Sequence, residues 1–422
     1  MDRERRSFDL IVFGATGYTG RLVADEVRRR APPGLRWAVA GRDPDRLAAV
    51  ASELGGVPTV VADAADPDSL GILAASTHVV ATTVGPYARY GTPLVAACVA
   101  AGTDYADLTG ESTWIRTSID AFHDAARAAG ARIVHACGFD SVPSDLGVAL
   151  LQREAIRRSG RPASSIVHAF GPMSGGVSGG TIASGLDLAE QAAGDRSARA
   201  ALSDPELLAP GGAPSNDPLG ALRPLRHPGL PGWTAPFVMA PANGKVVRRS
   251  RYLLGEPWGD GMRYLERLAL PTWARAAALT AGMGIAVATL AFGPTRRVIA
   301  RLLPSPGQGP SPRSREHGYF RSTLVGYDAA GAPTAQLRVH ADRDPGYGAT
   351  AGMLAAMALF LADPAERPDH GPGRGGVLTP AVAGGERYAA RLAQVGMRFD
   401  VAPPGDAASL PSGDDAEARR LG

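Results

Sequence analysis

The sequence is almost without lysine. Of the 44 lysine and arginine residues in a chain of 422, only Lys245 is lysine, so each lysine-dependent mechanism can be tested at that position. A phosphate-binding P-loop needs Gly-Lys-Ser/Thr, and Gly244-Lys245 runs into Val246. A Tyr-x-x-x-Lys relay needs tyrosine four positions earlier, where Pro241 stands. Both are excluded, and a Schiff-base lysine is left at Lys245 alone. Cysteine is as sparse. Cys98 and Cys137 allow neither a disulfide framework nor a four-cysteine zinc site. Cys137 reads as packing, since nothing beside it favours a thiolate. The eight histidines lack His-Glu-x-x-His spacing, so no metal is expected. Net charge is only +3, which argues against nucleic acid as a partner. No apolar run follows the first residues, so no secretory signal is expected and a reducing, cytoplasmic setting fits.

What is present is an alternation of strand and helix signals. Apolar runs at 9–13, 36–40, 59–62, 78–83, 103–107 and 132–135 read as strands, with helices such as 18–30 and 46–54 between them. That order predicts an α/β fold with a doubly wound parallel sheet, its strand C-termini forming one ligand-binding edge. A helix from Pro143 to about 158 and a strand at 165–170 follow, then a Gly-rich turn at 175–180 and a helix at 181–193. Residues 203–245 and 303–314 are dense in proline and glycine and predict irregular connections. A hairpin around Gly331 joins 319–328 to 335–341, and 350–361 is a strongly apolar helix. The expected domains are a Rossmann unit over 1–145, with 346–400 packing back on it, a second α+β substrate and dimerisation domain over 146–345, and a polar tail over 401–422.

Gly14-Ala15-Thr16-Gly17-Tyr18-Thr19-Gly20 lies between the first strand and first helix. Its spacing is a variant of the dinucleotide fingerprint, in which glycines let the backbone approach a pyrophosphate at a helix N-terminus. Gly14, Thr16, Gly17, Tyr18, Thr19 and Gly20 are therefore cofactor-binding candidates. The second strand runs into Gly41-Arg42, not into an acidic residue. A guanidinium there suits the 2′-phosphate of NADPH, making NADH the lesser expectation, although Arg42 could instead pair with Asp43 or Asp45. Asp63 ends the third strand and is a candidate for the adenine edge. Val84, Gly85 and Pro86 follow the fourth strand and would approach the nicotinamide, with Tyr87 placed either to donate a proton or to stack.

One segment stands apart. Residues 276–295 are uncharged, with Arg275 before them and Arg296, Arg297 and Arg301 beyond. Twenty residues of helix are about long enough to span a bilayer, but alanine, glycine and threonine dominate. A buried or dimer-interface helix, a helix lying in a membrane surface with arginines at the headgroups, and a true span all remain open. A homodimer is expected, and peripheral attachment at the inner face of a membrane is one setting for it.

The motifs GATGYTG (14–20), AGR (40–42) and GPYARYGTPLVAACVAAGTDYADLTGE (85–111) resemble the saccharopine dehydrogenase-like superfamily. HACGFDSVPSD (135–145) is similar to the trans-acting enoyl reductase family, as are GGVSGGT (175–181), DPGYGATAGML (344–354) and GGVLTPAVAGG (375–385). The resemblance covers about residues 8 to 401. It implies an NAD(P)H-binding Rossmann domain, a second α+β domain, and reduction of a carbon–carbon double bond on lipid-like or polyketide acyl chains presented by a separate synthase. Such chemistry needs a hydride, donors for a developing enolate and an acid for the α-carbon. Tyr87, Ser141 and Ser144 are the candidate donors, with Asp140 to orient one of them. Ser141 to Asp145 would equally serve as a helix cap without catalysis. Two rival readings are an amino-acid oxidoreductase acting at a C–N bond, which needs clustered arginines, and an NADP-responsive binding protein without a proton donor.

Overall fold

The computed structural model describes residues 6–174, 196–209, 222–255, 257–259, 261–291 and 317–404. The first unit alternates β1 (Phe8–Phe13), α1 (Tyr18–Arg30), β2 (Trp37–Gly41), α2 (Pro44–Glu53), β3 (Thr59–Val61), α3 (Pro67–Ser76), β4 (Thr77–Thr82), α4 (Tyr87–Ala101), β5 (Asp104–Ala106), α5 (Ser112–Ala129) and β6 (Arg132–Val134). Its strands pair in parallel, in the order β6-β5-β4-β1-β2-β3. Leu10, Ile11 and Val12 in β1 and Val79, Val80 and Ala81 in β4 have no exposed surface. Helices cover both faces, which is why these strands are continuous apolar runs with no alternation.

The chain then crosses through α6 (Val142–Ser159) into β7 (Ser165–Ser174), α7 (Arg196–Ser203), β8 (Trp233–Pro236), α8 (Ala240–Leu253), β9 (Arg263–Leu270), α9 (Trp273–Ala291), β10 (Tyr319–Tyr327) and β11 (Pro333–Ala341). It returns through α10 (Thr350–Ala362), β12 (Gly376–Leu378), α11 (Pro380–Gln394) and β13 (Met397–Ala402). The second sheet has six strands in the order β13-β11-β10-β7-β9-β8 and is mixed. β7 pairs in parallel with β9, while the hairpin β10–β11 and the remaining pairs are antiparallel. The architecture is thus a doubly wound parallel sheet joined to a second α+β unit.

Two sequence expectations need correction. The 203–245 stretch is not all irregular, because β8 lies within it and α8 starts there. Proline at 241 falls in the first turn of α8, where its missing N–H costs nothing. The return segment also divides between the sheets. β12 extends the first sheet beside β6, but β13 is the edge strand of the second, beside β11. Helix α10 packs against α1, β4 and β5, and its residues from 351 to 361 are all buried. It is apolar all round because it is core.

The first sheet and the return segment are locked by a buried ion cluster. Arg132 meets Asp104 at 2.6 Å and Arg367 meets it at 2.8 Å, with Arg132 also donating to the Leu361 carbonyl at 2.7 Å. Expectations for 175–180, 181–193, 303–314, the last four residues of the apolar segment and most of the polar tail fall outside the described residues.

Candidate functional site

β1 ends at Gly14, whose φ of +90° needs glycine; a Cβ there would lie 2.9 Å from both Thr83 Oγ1 and Val84 Cγ2. A Cβ on Gly20 would lie 2.1 Å from the Gly14 carbonyl oxygen, so α1 can sit against the turn only with glycine there. α1 starts from Gly17 with no side-chain cap and no acidic residue in its first turn, and Thr16, Tyr18 and Thr19 are half-buried beside it. The neighbouring helices are closed by their own carboxylates. Asp43 caps α2 and Asp66 caps α3. Glu111 accepts from the Tyr87 and Ala88 amides of α4 at 3.1 and 2.8 Å. The positive end of α1 is the one suited to a pyrophosphate, and the glycine cradle fits a dinucleotide.

Arg42 is exposed just beyond β2, and no described residue makes an ion pair with it. Asp43 is occupied as a cap, accepting from the Asp45 and Arg46 amides at 3.1 Å each. Arg46 reaches back to the Thr16 carbonyl at 3.4 Å, placing a second guanidinium at the glycine turn. Asp63 is exposed at the end of β3, where it accepts from the Ala65 amide at 2.9 Å. Val84 and Gly85 lie at the same edge beyond β4, with a cis bond from Gly85 to Pro86.

Tyr87 is drawn into the core. It is 8% exposed, stacks on Trp114 at 5.7 Å, donates to the Thr82 carbonyl and accepts from the Leu108 amide. Burial holds its phenol well above the usual range. It braces the loop from inside, tying the end of β4 to the residues after β5.

The residues that open α6 do not cap it. Ser141 makes no cap bond and donates to Asn243 Oδ1 of α8 at 3.2 Å. Asp145 reaches α11, accepting from the Ala381 amide at 2.8 Å and from Ser250; burial raises its carboxyl to about 7. Ser144 lies 3.3 Å from His168 Nδ1 on β7, beside Tyr264 and Glu266 of β9. Tyr264 donates to Glu266 Oε1 at 2.5 Å and Asn243 donates to Oε2 at 3.0 Å. His168 Nε2 sits 2.9 Å from Ser322 Oγ on β10.

Burial raises Glu266 to about 7 and pushes His168 down to about 3, so near neutrality the imidazole is uncharged and the carboxyl exchanges its proton. Asp140 is half-buried and close enough to Glu266 to push it further up. Aromatic rings frame this cluster: Phe139–Phe320 at 4.7 Å, Phe170–Phe237 at 4.5 Å and His168–Phe170 at 4.2 Å between centroids. The Phe139 amide donates to Thr350 Oγ1 at 3.1 Å, tying the loop to α10.

The structure therefore gathers Ser141, Ser144 and Asp140 with His168, Asn243, Tyr264, Glu266 and Ser322, which the sequence reading missed. The available signal was a polar side chain in step with apolar ones on a strand, as in Ile166, His168, Phe170. Behind the loop, Asp107 accepts from the Ala136 amide at 3.1 Å and meets His135 Nδ1 at 2.7 Å, while His135 Nε2 lies 2.9 Å from Ser118. This lock holds Ala136 at φ +61°, a conformation that costs a non-glycine residue about 1 kcal/mol or more. Lys245 is tied to the Leu202 carbonyl at 2.8 Å. Burial keeps the Cys137 thiol protonated.

Comparison with known proteins agrees with this geometry. Residues 10–134 match the family of the saccharopine dehydrogenase NADP binding domain. A Mycobacterium tuberculosis protein named "Putative trans-acting enoyl reductase" is 44% identical over 93% of this chain and 97% of its own length. A "Trans-acting enoyl reductase" of Mycobacterium ulcerans is 39% identical over 94% and 98%. The fold is similar to apo saccharopine dehydrogenase (L-Glu forming) of Saccharomyces cerevisiae, with a TM-score of 0.50 and 13% identity over 93% of this chain and 99% of that one. The chain belongs to the trans-acting enoyl reductase family and is an oxidoreductase whose first domain is a nicotinamide-cofactor domain of the saccharopine dehydrogenase type.

Proposed function

We propose that this chain uses NADPH, in preference to NADH, to reduce an enoyl double bond on a lipid- or polyketide-type acyl chain. The observation that carries the reading is the buried cluster around Glu266, hydrogen-bonded to Tyr264 and Asn243, with Ser144 beside it, and framed by Phe139, Phe170, Phe237 and Phe320. Its members Ser141 and Ser144 lie where β6 leads into α6, beyond the C-terminal end of a first-sheet strand, as Gly14 and Val84 do. When bound, the cofactor supplies a hydride to the β-carbon. The chain supplies the rest. The packed aromatic rings keep water from this cluster. The hydroxyls of Ser141, Ser144 and Tyr264 are the donors for a developing enolate. Glu266 holds, near neutral pH, the proton the α-carbon needs, passing it through Ser144 or Tyr264, and Asp140 supports its protonated form. Arg42, exposed and without an ion pair among the described residues, with Arg46 beside it, supports the phosphate-bearing cofactor.

The direct test is NADPH oxidation against enoyl thioesters of increasing chain length, with imino acids as the contrasting class. Turnover of enoyl thioesters is expected. Turnover of imino acids alone would favour the C–N oxidoreductase. Micromolar cofactor binding without turnover of any would favour a cofactor-responsive binding protein.

A further inference from the structure

Helix α9 shows apolar residues to solvent around most of its circumference. Trp273 is 55% exposed and Ile285 is 68% exposed. Leu279, Ala281, Gly282, Gly284 and Ala286 are exposed as well. Among the described residues of the helix Ala276 alone is fully buried, with Ala277, Thr280 and Met283 half-buried on the same stripe, and the helix meets the body through β8 and β9. A helix apolar all round belongs in a core or in lipid. α10 meets that rule by burial and α9 does not. At 19 residues, α9 is about 28 Å long.

The base of the helix is basic and aromatic. Arg275 lies in its first turn, and Arg223 and Arg226 are exposed beside it. The Arg226 guanidinium sits 5.6 Å over the Trp233 ring, and Trp233 pairs with Leu270, just before α9 begins. Leu222 adds a further side chain, 75% exposed. Among the described residues from 222 to 291 the one acidic side chain is Glu266, which is buried in the second unit. An exposed apolar rod, tryptophan at its foot and an arginine collar with no exposed carboxylate among the described residues 222–291 together match the layers of a membrane surface. A second copy of the chain would offer an apolar helix but, among the described residues 222–291, no exposed acidic partner for the collar.

We propose that α9 docks the protein on an anionic lipid surface, its apolar residues entering the acyl layer while Trp273, Arg223, Arg226 and Arg275 hold the headgroup level. This is independent of the catalytic reading. The test is flotation of the full chain with vesicles of phosphatidylcholine alone or with about 30% phosphatidylglycerol, at about 0.1 M and 0.5 M salt. Anionic vesicles are expected to capture the chain, with capture falling at high salt. A variant carrying Leu279→Glu and Ile285→Glu should lose it by roughly tenfold or more. Arg226→Gln with Arg275→Gln should lower capture by anionic vesicles only. Unchanged NADPH binding reports that each variant is folded. Absence of capture by either vesicle overturns the proposal, as does equal capture of the Leu279→Glu, Ile285→Glu variant. A variant that turns a dimer into a monomer, from a parent that binds no vesicle, assigns α9 to a subunit interface instead.

Discussion

Arg42→Ala is the sharpest perturbation of the cofactor site. Arg42 is exposed beyond β2, makes no ion pair with any described residue, and follows a strand that ends without a carboxylate. Its loss should leave the fold untouched, since exposed substitutions of this kind stay within about 0.5 kcal/mol. Its whole effect should fall on the 2′-phosphate. A hydrogen bond to a charged group contributes about 1.5–3 kcal/mol, which corresponds to roughly 10- to 150-fold in Kd. Titration of cofactor fluorescence with NADPH and NADH in parallel reads this directly. NADPH affinity should fall by that factor and NADH affinity should stay within about twofold. Because both charges are solvent-exposed, the difference should shrink as salt rises. Arg46, held at the glycine turn by its bond to the Thr16 carbonyl, should carry part of the residual preference, so the double variant should approach equal affinities. Equal weakening of both cofactors would mean that Arg42 supports the fold or the ribose. No change in either would place the phosphate elsewhere. Either result refutes the assignment.

Glu266→Gln should lower kcat by about 10²–10⁴-fold with little change in NADPH affinity. In the unaltered protein the carboxyl loses its proton as pH rises through about 7, so kcat should decline above that value; a flat profile from about pH 6 to 9 would count against the proton role. Asp145 links pH to stability. Its folded carboxyl, raised to about 7, keeps a proton that the unfolded chain releases near the ordinary carboxylate value of 3.8, so this group's contribution falls between those values and levels off above. His168, lowered to about 3 from 6.5, acts in the opposite sense, with stability gained as pH rises through that window. Asp145→Asn should therefore gain in Tm relative to the parent as pH rises from about 4 to 7, and a constant difference would refute the linkage. Asp104→Asn removes the negative charge that Arg132 and Arg367 share. Breaking a buried pair in this way costs about 3–5 kcal/mol, and a drop in Tm of roughly 5–10 °C is expected by calorimetry. A shift below about 2 °C would show that the guanidiniums find other acceptors.

Much of the first sheet was legible because local and tertiary demands coincide there. A strand buried on both faces must be apolar throughout, and a helix on top of it must be amphipathic, so β1 and α1 announce themselves. Glycine at 14 and 20 is required by close backbone approaches that any dinucleotide fold of this kind makes. Arg42 was legible for the same reason, since its place at the end of β2 follows from topology.

The second unit was harder to read. β8 and α8 emerge from a proline- and glycine-rich stretch, and β9 conceals a buried Arg267 and Glu266 among its apolar residues. Tyr87 shows the limit from the other side: its position in the loop left proton donation and stacking both open, and only the structure shows it packed on Trp114.

Sequence alone determined the parallel sheet, the glycine turn, the cationic end of β2 and the family. Those features rest on short-range patterns, read residue by residue. Only the tertiary structure decided that Ser141 and Ser144 leave their own helix to join Glu266, His168 and Tyr264, and that the apolar helix α9 stays exposed while α10 is buried. The reason is physical. Which carboxylate loses its water, and which apolar face gains a neighbour, depends on contacts between residues a hundred or more positions apart, and no local pattern records them.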